Sequence, residues 1–136
     1  MEVVGTRGGD ERTRIWPQLS VRRGRDAVEF YKAAFGAVQD YRLGGTDDDE
    51  DVVAQLSVGN ASFWVSDESP PHRNLSPESL GGATVRMLLI VEDPASMVER
   101  AIAAGATEIY PVAEEMVGAW DGSRIPSATI GRSGSR

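Results

Sequence analysis

The stretch that decides the fold is VRMLLIVEDPASMVERAIAAGATEIYPV, residues Val85 to Val112. Its first part, Val85 to Val91, is a nearly continuous apolar run, which predicts a strand covered on at least one face. Asp93 is placed to cap a helix, because its carboxylate can accept hydrogen bonds from the free N–H groups of the first turn. Gly105 ends that helix, since glycine readily adopts a left-handed conformation, and Ala106 to Val112 follows as a second strand. The stretch therefore predicts a strand, a helix and a strand.

An upstream segment repeats this order of parts. It is PQLSVRRGRDAVEFYKAAFGAVQDYRL, residues Pro17 to Leu43. We expect a strand over Ile15 to Val21, a helix from about Asp26 that ends at Gly36, and a strand over Ala37 to Leu43. Corresponding positions in the two segments differ by about seventy residues. This period is about half of a small domain, so it predicts a duplicated module.

Two short alternating runs follow in the first half. They are Val52 to Val58 and Ala61 to Ser66, and Gly59 with Asn60 forms a two-residue hairpin signal between them. The acidic run from Gly44 to Asp51 precedes them and indicates an exposed hairpin turn. A calcium loop is the alternative, but the run lacks the glycine and the distal glutamate of an EF-hand. The first half therefore has the order β-α-β-β-β.

The predicted fold class is α+β, with two β-α-β-β-β modules that form paired half-barrels within one domain. A chain of 136 residues supports one domain with a real core. The predicted divisions are a flexible arm (1–13), a first module (14–66), a linker (67–83), an incomplete second module with the order β-α-β (84–118) and an aberrant tail (119–136).

Composition limits the function classes. The chain has no cysteine, so disulfides and thiolate chemistry are excluded. Its net charge of −7 argues against nucleic acid as a partner, because phosphate binding needs a concentrated basic surface. No apolar run has the length of a membrane span, and the N-terminal sequence is unlike a signal peptide. We therefore expect a cytoplasmic protein with no membrane partner.

Three motifs carry a resemblance to a known family. They are AVEFYKAAFGA from Ala27, QLSVGNASFWVSDE from Gln55 and LIVEDPASMVERAIAAGAT from Leu89. These motifs resemble the PhnB-like branch of the vicinal-oxygen-chelate superfamily, which holds glyoxalase I, bleomycin-resistance proteins and extradiol dioxygenases. The resemblance covers roughly Pro17 to Val112. It implies that each module curls its strands into a half-barrel around a ligand cavity, and that the protein is a homodimer.

The resemblance also implies positions for a divalent metal, and the sequence departs from the family pattern there. The first three ligand positions fall on Trp16, Trp64 and Arg86, and none of these side chains is a plausible ligand. A position that often carries histidine in this branch is Val53. The one histidine of the sequence, His72, is in the linker and is expected to be solvated. We therefore expect no metal, no cofactor and no assigned catalytic residue.

The strand register that the resemblance implies predicts which side chains face the cavity. They form an aromatic and partly polar pocket with one cation, which could pair with a carboxylate or phosphonate. We expect a metal-free protein that binds a small aromatic or anionic molecule. The alternatives are a metal-dependent lyase, isomerase or dioxygenase, and a decayed relative that binds nothing. The candidate ligand-binding residues are Trp16, Gln18, Val53, Gln55, Trp64, Arg86 and Leu88.

The tail lacks a convincing final hairpin to match Val52 to Ser66. However, Met116 to Arg136 can be encoded by bases that, read from the third position of the Met116 codon, give GWRLGRVADPFGHHWEIGQP. This second-frame ending is similar to the last two strands of the family. Our hypothesis is that a single-base shift near Met116 replaced those strands. An open sheet edge and exposed apolar side chains would remain, and we expect a second copy of the chain to cover them.

Overall fold

The computed structural model describes residues 13–47, 50–116 and 124–132, and the side chains of these residues up to 107. Apart from Thr13, the predicted N-terminal arm lies outside the described residues. The strands are β1 (Gln18–Val21), β2 (Val38–Gly44), β3 (Val52–Val58), β4 (Ala61–Asp67), β5 (Ala106–Met116) and β6 (Arg124–Arg132). The helices are α1 (Gly24–Phe35), α2 (Pro77–Leu80) and α3 (Pro94–Ala103), with a 3₁₀ turn at Pro70–His72.

The first half folds in the predicted order β-α-β-β-β. Its four strands form one sheet in the order β1-β4-β3-β2, in which β1 is parallel to β4 and the other pairs are antiparallel. The hairpin signal at Gly59 is confirmed, because Gly59 has a φ of 59° and joins β3 to β4. The first strand is shorter than predicted and begins at Gln18, after Pro17.

One face of this sheet is covered by α1. The helix buries Ala27, Val28 and Ala34 completely, and Gly36 ends it with a φ of 67°, as its sequence predicts. Phe30 and Tyr31 of α1 are partly buried. The sheet contributes alternate residues to the same core, as period-two side chains must. These are Val52, Ala54, Leu56 and Val65, all fully buried.

A single carboxylate joins the start of α1 to two strands. Asp67 is the last residue of β4, and its two oxygens accept hydrogen bonds from the backbone N–H groups of Gly24, at 2.8 Å, and Val52, at 2.7 Å. A negative charge is favourable at a helix N-terminus, where the first N–H groups have no partner in the helix. The approach is close, because a Cβ atom on Gly24 would lie 2.6 Å from a carboxylate oxygen of Asp67. The sheet therefore fixes where α1 begins.

The predicted linker is also ordered by a carboxylate. Glu68 accepts hydrogen bonds from the backbone N–H of Ser76, at 3.0 Å, and the hydroxyl of Ser79, at 2.9 Å. The Ser76 bond first, and then the Ser79 bond, lower the pKa of Glu68 below that of an ordinary glutamate. Ser76 in turn caps α2 through its side chain. The linker thus packs beside β4 through polar contacts.

The two halves meet through their helices. Ala34 of α1 and Ala101 of α3 are both fully buried and belong to one apolar cluster, so small side chains allow the helices to approach closely. Arg100 adds a hydrogen bond of 2.7 Å from its Nε to the carbonyl oxygen of Ala33. Asp93 caps α3 as predicted, and Gly105 follows the helix with a φ of 110°. Helix α3 then contacts the two-stranded sheet of β5 and β6.

The prediction that the tail lacks a final hairpin is wrong, because Arg124–Arg132 form β6 and pair antiparallel with β5. The physical reason is that β5 offers a long row of backbone groups, and β6 contains the β-branched residues Ile125, Thr129 and Ile130. The predicted boundary at residue 118 therefore separates two strands of one sheet. The α+β class is confirmed, and the paired half-barrels remain a prediction.

The predicted strand at Val85 to Val91 is also wrong, because this run has no ladder partner among the described residues. In the first half, β1 obtains its backbone hydrogen bonds from β4, the strand that follows β3. The second half has counterparts of β2 and β3, but the described chain contains no counterpart of β4. An apolar run can favour a strand locally, yet it needs a neighbour to form one.

The two hydrogen bonds that the Asp67 carboxylate accepts give a prediction about stability. Asp67→Ala should lower the free energy of unfolding by about 2 to 4 kcal/mol, because it leaves two buried N–H groups without their charged acceptor. Asp40→Ala, at an exposed position of β2, is the matched control and should change it by less than about 0.5 kcal/mol. Urea denaturation of the three proteins measures both values. Equal destabilisation by both variants would contradict the role given to Asp67.

The segment Val85 to Val91, called the unpaired run from here on, gives a prediction about the tail. Replacing the residues after Met116 with the second-frame ending should supply the missing strand for Val85 to Val91. We expect slower amide hydrogen exchange in that run and a melting temperature higher by about 5 °C or more. The control is a shuffled ending of the same composition. Unchanged exchange in Val85 to Val91, or a genomic sequence in which no one-base change gives this frame, would contradict the hypothesis.

Candidate functional site

The face of the four-stranded sheet opposite α1 is called the open face below. The linker meets this face at one end, where the Ser20 hydroxyl donates a hydrogen bond to the Asn74 side chain. Side chains alternate along each strand, so the neighbours of the core residues point away from α1. The register places Gln18, Trp64 and Gln55 opposite one another on β1, β4 and β3, and Tyr41 of β2 opposite Gln55. One row of side chains thus crosses all four strands.

Three aromatic rings on this face form what we call the aromatic row. The ring centroids of Tyr41 and Trp64 lie 5.8 Å apart, and those of Trp64 and Trp16 lie 6.1 Å apart. Both pairs are tilted, with interplanar angles of 58° and 51°, so each ring also presents surface to solvent. Tyr41 is 48% exposed and Trp16 is 41% exposed. A row of half-exposed aromatic rings is a ready surface for stacking.

A cleft continues from the aromatic row beside the β3–β4 hairpin. It has a volume of about 470 Å³, within the range of small-molecule sites. Its lining includes Trp16 and Phe63 as aromatic walls, Met87 from the unpaired run, and Asn60 from the hairpin. The guanidinium carbon of Arg14 lies 5.1 Å from the centroid of the Trp16 ring, a cation–π distance. Arg14 also lines the cleft.

The polar groups of the open face lie near the aromatic row. Gln18 and Gln55 flank Trp64 on both sides. Ser66 lies two residues beyond Trp64 on β4; it is 5% exposed, and its hydroxyl has no hydrogen-bond partner in the described structure. A buried hydroxyl without a partner is unusual.

The structure brings together five of the seven candidate ligand-binding residues and separates two. Four of them, Gln18, Val53, Gln55 and Trp64, are on the open face by register, and Trp16 contacts Trp64. Arg86 and Leu88 are on the unpaired run, where Leu88 is 84% exposed. Their neighbour Met87 contributes to the cleft instead. Whether these residues bind a ligand remains a prediction.

Sequence reasoning missed Tyr41 and Arg14. The pairing of β2 with β3 has an irregularity between Gln39 and Tyr41, and a one-residue shift moves a side chain to the other face. The aromatic residue in an otherwise polar strand was the available signal. Arg14 precedes the strand predicted over Ile15 to Val21, so the sequence pattern gives it no facing, and residues 13–17 are not in a strand.

The structure gives no evidence of a metal site in the part of the chain it describes. No three His, Cys, Asp or Glu side chains there are grouped so that they could hold an ion. His72 is exposed, and its Nδ1 lies 2.7 Å from the Ser69 hydroxyl in the linker. In the Gly44–Asp51 turn, Glu50 instead accepts hydrogen bonds from Thr46, which lower the pKa of its carboxyl.

No family model matches the sequence. The chain is 31% identical over 105 residues to the uncharacterized protein Mb0911c of Mycobacterium bovis, a match that covers 75% of this chain and 68% of that one. The uncharacterized protein Rv0887c of Mycobacterium tuberculosis gives the same identity and length, with 61% of that protein covered. The chain thus spans about two thirds of the length of these relatives. Among the described helices, none combines the length and apolar character needed to cross a bilayer.

Three solved structures resemble this fold. The product of Arabidopsis thaliana At5g48480 has a TM-score of 0.56 and 27% identity, covering 73% of this chain and 78% of that one. TioX from Micromonospora sp. ML1 has a TM-score of 0.56 and 20% identity, covering 87% of each chain. SA1046 of S. aureus has a TM-score of 0.53 and 14% identity, covering 90% of this chain and 88% of that one.

These solved structures have the glyoxalase, or vicinal-oxygen-chelate, type of fold, and the present chain shares it. The identity to the mycobacterial relative extends over 75% of this chain. The chain therefore belongs to the family of the uncharacterized protein Mb0911c.

Proposed function

We propose that this protein binds a small planar aromatic molecule on the open face without a metal ion. The observation that carries the proposal is the aromatic row of Tyr41, Trp64 and Trp16, held across the sheet at centroid distances of about 6 Å. A flat ligand can stack on one ring of the row and meet the tilted neighbouring ring with its edge. The role of the open face is therefore recognition by stacking.

The favourable free energy of binding comes from the exposed aromatic surface. Covering about 100 Å² of apolar surface with a ligand contributes roughly 2.5 kcal/mol before the cost of association. The rings of Trp64 and Trp16 limit each other's motion because they are in contact, so a ligand orders few additional side-chain rotamers. A partly preformed surface of this kind supports selective binding of flat molecules.

Polar side chains give the open face the means to orient a ligand. The amides of Gln18 and Gln55 lie on the strands next to Trp64, and each offers both a donor and an acceptor. A few polar groups around an apolar surface are typical of small-molecule sites.

The alternative is a metal-dependent lyase, isomerase or dioxygenase, as other proteins of this fold type are. Fold alone does not carry function, so this alternative depends on a metal site. The positions implied for the ligands hold Trp16, Trp64 and Arg86, none of which suits a divalent ion. Metal analysis of the purified protein tests the alternative, and stoichiometric zinc, nickel, manganese or iron would favour it over our proposal.

Binding is tested with a matched pair of probes. We expect 2-naphthol, which is planar, to bind, and decahydro-2-naphthol, its saturated counterpart, to bind at least about tenfold more weakly. The reason is that only the planar molecule can stack along the aromatic row. Saturation-transfer NMR on each probe measures binding directly, and quenching of tryptophan fluorescence gives a second readout.

Two variants locate the site. Trp64→Ala should weaken 2-naphthol binding by about tenfold or more, because it removes the central ring of the row. Leu80→Ala is the control, since Leu80 is an exposed apolar residue of α2, and it should leave binding unchanged. Circular dichroism establishes that both variants are folded. Equal binding by the two proteins would contradict the placement of the ligand on Trp64, and no binding of any planar probe would favour the decayed, non-binding relative.

The proposal includes a homodimer. The unpaired run exposes five apolar side chains, and its backbone has no ladder partner among the described residues. They are Val85, Met87, Leu88, Leu89 and Ile90. A second copy of the chain can cover this surface and satisfy its backbone groups. We expect sedimentation to show a dimer at micromolar concentration and Leu88→Asp to shift it to monomer. A well-behaved monomer of the unmodified protein would contradict this part of the proposal.

A further inference from the structure

The first residues of β4 have an open edge on the side of β1. The ladder between these two strands begins at Gln18 opposite Trp64, so Ala61 to Phe63 extend beyond it. Across from them lies the segment that precedes β1, and the cleft beside the hairpin separates the two, since Ile15 and Ser62 both line it. The cleft therefore lies where a longer β1 would continue the sheet.

The backbone groups of Ser62 point toward this open edge. Alternate residues of an antiparallel ladder bond to the neighbouring strand, and the two-residue turn makes Val58 and Ala61 the first bonded pair. Ser62 and Trp64 therefore direct their N–H and C=O groups away from β3. The hydrogen bond of 2.8 Å from the Trp64 N–H to the carbonyl oxygen of Pro17 confirms this direction.

Proline at position 17 deprives the Ser62 carbonyl of a backbone donor. In a parallel ladder, the residue that accepts a hydrogen bond from Trp64 would also donate its own N–H to Ser62, and proline has no N–H. Neither the N–H nor the C=O of Ser62 has a hydrogen-bond partner among the described residues. A donor and an acceptor thus lie side by side on one wall of the cleft.

We infer that the ligand of the open face is a planar aromatic lactam whose ring amide pairs with the backbone of Ser62. The inference rests on the proposed function and adds the polar group and the orientation of the ligand. A lactam holds its C=O and N–H side by side on one edge of a flat ring, so the C=O accepts from the Ser62 N–H while the N–H donates to the Ser62 C=O. Both bonds lie at the edge of the ring and leave its faces free to stack.

The aromatic row is within reach of a ligand held in this way. Ser62 and Trp64 are two residues apart on β4, which is about 7 Å at the rise of a strand. Trp16 lines the same cleft as Ser62, and its ring centroid is 6.1 Å from that of Trp64. A molecule of two fused rings is long enough to pair with Ser62 at one edge and to contact a tryptophan with its other ring.

The pairing makes the cleft selective. A ligand that fills the cleft takes water away from the Ser62 backbone, so each group that the ligand does not satisfy then carries a desolvation cost. A site of this kind discriminates strongly against an analogue of the same shape that lacks the matching donor. An ester in place of the amide is such an analogue, because its ring oxygen would face the Ser62 carbonyl oxygen.

The test compares 1-isoquinolone with isocoumarin. The two molecules have the same fused rings and the same carbonyl, but the ring N–H of the lactam is a ring oxygen in isocoumarin. We expect the unmodified protein to bind 1-isoquinolone about tenfold or more tightly, because isocoumarin cannot donate to the Ser62 carbonyl. Titration followed by saturation-transfer NMR measures both affinities.

Two substitutions change the backbone groups themselves. Pro17→Ala introduces an N–H that bonds to the Ser62 carbonyl within the sheet, so the preference for the lactam should fall by about threefold or more. Ser62→Pro removes an N–H that takes no part in the ladder with β3, and it should weaken lactam binding by about tenfold. Pro77→Ala makes the first exchange at an exposed position of α2 and should keep the preference. Circular dichroism establishes that the variants are folded.

The outcomes separate this inference from the proposed function. Equal affinity for 1-isoquinolone and isocoumarin, or a preference that Pro17→Ala leaves unchanged, overturns the pairing with Ser62 and leaves stacking on the open face intact. Absence of binding by both probes and by 2-naphthol overturns the inference and the proposed function together. A preference for the lactam that falls in Pro17→Ala and is kept in Pro77→Ala is the result that supports the inference.

Discussion

The carboxylate of Asp67 joins the three elements on which the first half depends. It accepts one backbone hydrogen bond at the start of α1 and one at the start of β3, and it belongs to the end of β4. The N–H groups of a first helical turn lack partners within the helix, so a fixed acceptor determines where the helix begins. Because α1 is held on one face of the sheet, the other face is left for Tyr41, Trp64 and Trp16. The candidate site is a consequence of this arrangement.

The two halves differ in whether their first extended segment pairs with another strand among the described residues. In the first half, β1 is stabilised by the parallel ladder with β4, and that ladder also sets Gln18 beside Trp64. In the second half, Val85 to Val91 has the more apolar sequence, yet the described residues give it no ladder. Strand formation depends on a neighbouring backbone as well as on side-chain preference. The unpaired run contributes Met87 to the cleft as a loop would.

Local signals in the sequence predicted local structure well. The helix α1, the glycine at its end and the hairpin at Gly59 each depend on residues close together in the chain, and all three occur. The prediction failed where the outcome depends on distant partners. Val85 to Val91 required a strand that the described chain does not contain, and β6 formed because β5 was available.

The candidate site could be predicted where it depends on local sequence pattern, and could not where it depends on strand pairing. The alternation of β3 and β4 placed Gln55 and Trp64 on one face, because side-chain period is a local property. Tyr41 could not be assigned, since its facing depends on the irregular pairing near Gln39. Arg14 could not be assigned either, because a residue outside a strand has no fixed facing.

The central claim is that the open face binds a flat ligand through its tryptophans. The indole N–H resonances of the protein, observed by ¹H–¹⁵N NMR during addition of 2-naphthol, report on it most directly. The account predicts saturable shifts for the signals of Trp16 and Trp64, assigned by substituting each with phenylalanine. Unshifted Trp16 and Trp64 signals at concentrations where the probe binds would place the ligand elsewhere and contradict the account.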